Sequence, residues 1–209
     1  MNVSVVIATC GSEEWKTMGD MAMTDLPMDV TVIRVHEPNG TVSSARNAGI
    51  AKVTTDYVCV LDADDTIAAD YFDFTPEADI TATAISYRNR TLAMIPKVWQ
   101  HERGRRKEHA GDCIGECLLD GNYIHIGSIM KTSVAQAVAF REYPVYEDYA
   151  YWLEQYLAGA TFARREESVY MAEVRLNRNH RNHSMPIQER DLVHIQIYED
   201  LTGKKWSVR

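Results

Sequence analysis

Three apolar runs rich in β-branched residues open the chain: "VSVVIAT" (Val3 to Thr9), "VTVIRV" (Val30 to Val35) and "YVCVL" (Tyr57 to Leu61). They show little polar alternation, which suits strands covered on both faces, as in a parallel sheet. Between the first two, Trp15, Met18, Met21 and Met23 sit among polar residues from Glu13 to Leu26, and Pro27 ends the pattern. Between the second and third, Ser43 to Ala51 reads as a helix capped by Ser43 or Ser44. Strand, helix, strand, helix, strand predicts parallel βαβ units, whose ligands bind beyond the carboxyl ends of the strands.

Directly beyond the third run stand Asp62, Asp64 and Asp65. Carboxylates this close repel one another, and in a partly buried cleft a cation is needed to keep them all ionised. On an extended backbone Asp62 and Asp64 face the same side and can share a hard ion such as Mg²⁺ or Mn²⁺, while Asp65 points elsewhere as a cap. Taken alone, an Asp-x-Asp is more often a solvated loop with a helix cap.

Further along, "DITATAISYR" (Asp79 to Arg88) and "LAMIPKVW" (Leu92 to Trp99) read as strands around an Asn89-Arg90 turn, which would make the sheet mixed. Gln100 to Gly111 is polar, with Arg103, Arg105, Arg106 and Lys107, and reads as an exposed loop that could also face an anionic ligand. Tyr149, Trp152, Leu153, Tyr156 and Leu157 follow helical spacing with Gly159 as the stop, so Glu147 and Asp148 fall in a first helical turn. Acids favour that position electrostatically with or without a function. After a tail dense in Arg, Asn and His, a last amphipathic helix is expected over Pro186 to Leu201.

A chain of 209 residues, 45% hydrophobic, is long enough for one core, and a single domain is expected. The net charge of −8 argues against general nucleic-acid binding through phosphates. No segment approaches the roughly 20 apolar residues of a membrane span. "MNVSVVIATCGSEEW" has no basic leader, and the sparse cysteines, Cys10, Cys59, Cys113 and Cys117, suit a reducing compartment, so a cytoplasmic location is expected. Cys113, Cys117 and His109 are spaced for a metal, but zinc would need a fourth ligand that the sequence does not identify.

"ARNAGI" followed by "DYVCVLDADD" resembles the nucleotide-sugar half of family 2 glycosyltransferases with the GT-A fold. "VVIAT" is similar to that family's first strand, "SIMKTSVAQAVAFREYPVYEDYAYWLEQYLAGATF" to its acceptor half, and "NRNHRNHSM" to its closing Tyr-Arg-x-His segment, with Asn177 in place of the Tyr. The resemblance implies an α/β fold with a GT-A-like, Rossmann-type mixed sheet, mostly parallel and flanked by helices. Along the chain it implies a nucleotide-sugar half over 1–66, an acceptor half over 67–185 and a C-terminal helix over 186–209.

The resemblance further implies an inverting, metal-dependent hexosyltransferase that uses a nucleoside-diphosphate sugar, UDP-linked by preference, and an acceptor hydroxyl. Asp148 would be the base and Glu147 its neighbour; Asp62 and Asp64 would hold Mn²⁺ or Mg²⁺ with His180, for which His183 is the rival. Thr9, Glu13, Glu37, Arg46 and Asp62 would line the donor. The family's Asp-Asp-Gly-Ser segment after the second strand is compressed here, leaving Glu37 as the acid nearest that place. The acceptor class and self-association stay open. The competing readings are a nucleotidyltransferase, for which "TCGSEEW" is a poor phosphate loop, and a non-catalytic nucleotide-sugar-binding module.

Overall fold

The computed structural model describes residues 1–23, 26–88, 97–98, 115–173 and 185–207. Its first half follows the predicted alternation: β1 (Val3–Cys10), α1 (Glu13–Ala22), β2 (Thr31–Glu37), α2 (Val42–Ile50) and β3 (Tyr57–Leu61). β1 is central and buried over nearly its whole length, with β2 and β3 parallel on either side. α1 is shorter than predicted and closes at Met23. The cap of α2 is Thr41 rather than Ser43 or Ser44. Its extended backbone lets the hydroxyl accept the Ser44 N–H at 3.0 Å, while Ser44 Oγ accepts the Thr41 N–H at 2.9 Å.

The second half turns the sheet mixed. β4 (Thr66–Ile67), β5 (Ile80–Arg88), β6 (Lys97–Val98), β7 (Ile129–Lys131) and β8 (Phe162–Glu173) complete the order β2-β1-β3-β7-β5-β8-β4, with β6 on β5. The long ladders, β1 with β2 and β3 and β5 with β8, are parallel, whereas β7 runs antiparallel to both β3 and β5. β5 and β6 pair antiparallel, Ser86 opposite Val98 and Tyr87 opposite Lys97, which is not the register a two-residue Asn89-Arg90 turn would set; positions 89–96 lie outside the described residues. Three helices follow β7: α3 (Thr132–Ala135), α4 (Glu147–Leu157) and α5 (Ile187–Thr202), the last two close to the predicted spans.

One apolar cluster runs from β1 and β3 through β7 into α4. There Tyr149, Tyr151, Trp152 and Leu153 are fully buried, and the Tyr151 ring stacks on Phe140 at 3.9 Å. That burial fixes the rotation of α4 and therefore the direction of its first turn. On the other side, α2 lies close on β1: a Cβ added to Gly49 would overlap Val6 Cγ1. Gly49→Ala therefore gains up to about 1 kcal/mol in helix propensity but incurs an overpacking cost of about 1–3 kcal/mol. Urea unfolding should show a net loss of stability; a more stable variant would mean that α2 does not pack this tightly.

Candidate functional site

Where β3 ends, the chain turns, the Asp65 N–H donating to the Asp62 carbonyl at 3.0 Å, and exposure alternates: Ala63, Asp65 and Ile67 are buried, whereas Asp62, Asp64 and Thr66 are partly exposed. Asp62 and Asp64 are thus both partly exposed beyond the carboxyl end of β3, set there by a turn and not by the extended alternation that the sequence suggested. Asp65 turns inward, and its role differs from the expected cap, because a short strand and not a helix follows. Its Oδ2 accepts the Tyr170 hydroxyl at 2.6 Å and its Oδ1 accepts the Glu173 N–H at 2.7 Å. The Tyr170 hydroxyl in turn accepts the Asp62 N–H at 3.3 Å, so Asp65 and Tyr170 tie β8 to the end of β3. Burial, reinforced by the charges of Asp62 and Asp64, pushes the Asp65 carboxyl well above the usual range.

Arg46, on α2, is the site's buried cation at 4% exposure. Nη2 donates to Asp62 Oδ1 at 2.8 Å, Nη1 donates to Glu147 Oε1 at 2.9 Å, and the guanidinium lies 5.3 Å from the centre of the Phe140 ring. Burial works against its charge, but Asp62 and Glu147 outweigh it and the group is held protonated more firmly than in water. The family resemblance implies that Arg46 lines the donor; the geometry gives it two carboxylates from opposite halves of the chain.

α4 starts behind Tyr146, whose left-handed φ of 63° turns the chain sharply into the first turn. Asp148 Oδ1 accepts the Tyr149 N–H at 2.8 Å and Oδ2 accepts Asn122 Nδ2–H at 3.2 Å. Burial first, then the charge of Glu147, raises the Asp148 carboxyl to about 6, against the pull of Arg46 and the two hydrogen bonds. Sequence reading missed Asn122: its partner is 26 positions away, and nothing local marks it.

The predicted donor-side residues are more dispersed. Thr9 is buried, and its hydroxyl donates to the Val35 carbonyl at 3.3 Å and lies 2.9 Å from His36 Nδ1, so its side chain serves the β1–β2 pair. The β1–β3 ladder stops at Ile7 opposite Leu61 while β1–β2 runs on to Cys10 opposite Glu37, which places Thr9 beyond the end of β3's pairing. Glu13 is exposed, and Lys16, 2.8 Å away, holds its carboxyl below the usual range. Glu37 accepts the Ser44 hydroxyl, and its carbonyl accepts the N–H groups of Gly11 at 3.2 Å and Gly40 at 3.1 Å. These bonds spend Glu37 on joining the strand end to the α2 turn.

His180, His183 and the basic residues Arg103, Arg105, Arg106 and Lys107 lie outside the described residues. Cys117 is disulfide-bonded, which removes it as a zinc thiolate, and His109 and Cys113 lie outside the described residues. Among the described residues no group of three His, Cys, Asp or Glu could hold a metal ion. Asp62 and Asp64, both partly exposed, are hard oxygen donors of the kind that Mg²⁺ or Mn²⁺ takes, and two carboxylates alone would leave further ligands to come from elsewhere. No described helix is long and apolar enough to cross a membrane.

Replacing Arg46 would leave Asp62 and Glu147 without their shared cation. Breaking a buried pair from one side costs about 3–5 kcal/mol. Arg46→Leu should therefore lose stability on that scale in urea unfolding at neutral pH, and a loss under about 1 kcal/mol would show that the acids do not depend on it.

With this geometry in place, the likenesses to known proteins are informative. Residues 5–73 match the family model described as Glycosyl transferase family 2, a span that takes in β1, α2, β3 and Asp62 to Asp65. No curated protein matches the chain. The structure of Staphylococcus aureus TarS 1–349 in complex with UDP-GlcNAc is similar over 100% of this chain and 68% of that one, with a TM-score of 0.62 and 13% identity. Another TarS 1–349 structure gives 0.53 at 15% identity over 83% of this chain, and a mycobacterial protein gives 0.54 at 12% over 97%. This chain spans 60% of the length of that second TarS structure. At such identities the structural likeness speaks for the fold, and the family match for the segment it covers. Residues 5–73 thus carry the pattern of glycosyl transferase family 2, set within a GT-A-like sheet.

Proposed function

We propose that this protein is an inverting glycosyltransferase that moves a sugar from a nucleoside-diphosphate sugar to an acceptor hydroxyl, with Asp148 as the base. The observation that carries the reading is the meeting of Asp62 and Glu147, each close in sequence to a second acid (Asp64 and Asp148), on the guanidinium of Arg46. One set stands at the carboxyl edge of a parallel sheet, where nucleotides bind, and the other at the start of a rigid, deeply packed helix. The UDP-GlcNAc in the structurally similar TarS complex supports a UDP-sugar as the donor.

In this mechanism the acceptor oxygen attacks the anomeric carbon while the bond to the diphosphate oxygen breaks, and Asp148 takes the hydroxyl proton. A single displacement inverts the anomeric centre. Asp62 and Asp64, with His180, would hold Mn²⁺ or Mg²⁺, which would supply positive charge at the diphosphate. Arg46 fixes Asp62 by one carboxylate oxygen, Oδ1. Glu147, held by the same guanidinium, orients the first turn of α4 and raises its neighbour's proton affinity.

A base must be ionised to work, so the folded-state value near 6 sets the acid limb: transfer should fall about tenfold per pH unit below it and level off above. Asp148→Asn should abolish transfer while donor binding survives; wild-type turnover in that variant would sink the assignment.

The donor class can be read without knowing the acceptor. UDP or a UDP-sugar with Mn²⁺ should raise the melting temperature of the wild-type protein, and Asp64→Ala should weaken that response. If neither UDP nor a UDP-sugar with Mn²⁺ gives any shift, the UDP-sugar donor is wrong; a shift without any sugar transfer would favour the non-catalytic module.

A further inference from the structure

We propose that Asn122 is a positioning residue for the acceptor side of the site, holding the Asp148 carboxylate in a fixed rotamer through its Nδ2–H. The inference rests on the reading of Asp148 as the base and deepens it. Asn122 lies just beyond the 3₁₀ turn Glu116–Leu119, in the segment that leads to β7, so it approaches the start of α4 from another part of the fold. Its side chain is the one that meets Asp148 Oδ2, at 3.2 Å. The other oxygen, Oδ1, already accepts the Tyr149 N–H at 2.8 Å. With both oxygens tethered, the carboxylate plane is set and the remaining lone pairs have fixed directions, which is what proton abstraction from a bound hydroxyl requires.

The Asn122 amide itself says where it was placed to act. Its Oδ1 is buried and has no hydrogen-bond partner among the described residues, so the bond to Asp148 is not a by-product of pinning the loop by both ends of the amide. The amide orientation follows from chemistry: turned over, Oδ1 would face a carboxylate oxygen and both would be acceptors. The buried carbonyl that remains is a group an acceptor hydroxyl could satisfy when it enters beside Asp148.

Among the described residues, the charged groups facing Asp148 are Glu147 from its own helix and Arg46 from α2; the Asn122 amide faces it as a neutral donor. A donor to the carboxylate favours its charged form, so loss of the amide must raise the proton affinity. NMR titration of ¹³C-labelled aspartate carboxyls, with Asp148→Asn for assignment, should place the wild-type midpoint near 6. Asn122→Ala should move it up by about one unit. The isosteric Asn122→Asp, which removes the donor and adds an acid, should carry the upper apparent midpoint of the pair higher still.

Midpoints unchanged within about 0.2 unit in whichever of the two variants folds would overturn the proposal, because a purely structural Asn122 would lower the melting temperature and leave the carboxyl where it was. The titration reads the carboxylate and not turnover, so it stands apart from the question of whether Asp148 is the base, which the transfer assay of Asp148→Asn decides.

Discussion

A buried guanidinium between two carboxylates is the interaction on which the site depends. Arg46 comes from the helix between β2 and β3, Asp62 from the end of β3, and Glu147 from the first turn of a helix more than eighty residues later. Each group would be costly to bury alone; together they neutralise one another, and their hydrogen bonds fix the distance between two distant parts of the chain. The sign of the arrangement also matters. At Asp148, burial first and then the charge of Glu147 hold the proton more tightly than usual, against the pull of Arg46.

Around this centre, packing supplies the rigidity. The ring of Tyr170 lies so close to Gly127 that a Cβ there would overlap it, and its hydroxyl reaches both Asp65 and the backbone of Asp62. This strut is what makes the inside-outside alternation after β3 hold over Asp62 to Ile67, keeping two acids open and one enclosed. On the opposite side, the fully buried Tyr149, Tyr151 and Trp152 fix α4, so the placement of Asp148 follows from core packing rather than from the acids themselves.

Much of this was legible in the sequence where a local pattern carried it. The β-branched runs that became β1, β2 and β3 and the helical spacing of Tyr149 to Leu157 each reflect a pattern that a few residues suffice to show, whereas the turn that sets Asp62 and Asp64 does not follow the extended alternation expected. What escaped was set by distant partners. β7 is only three residues long, and β8 carries "ARREE" across a register shift against β5, so neither shows a strand's alternation. Glu37 also bonds the Ser44 hydroxyl and, through its carbonyl, the N–H groups of Gly11 and Gly40, links that no local pattern announces. The link from Arg46 to Glu147 joins positions 101 apart in the chain and has no local signature.

The most direct test of the account is a double-mutant cycle on stability between Asp62→Asn and Glu147→Gln, measured by urea unfolding at neutral pH. Either single change leaves Arg46 one acid, whereas the double leaves a buried cation with neither. If the two acids act through a shared guanidinium, the double mutant should lose at least about 1 kcal/mol more than the sum of the singles. Losses that add to within about 0.5 kcal/mol would contradict the claim that one residue holds the two halves of the site together.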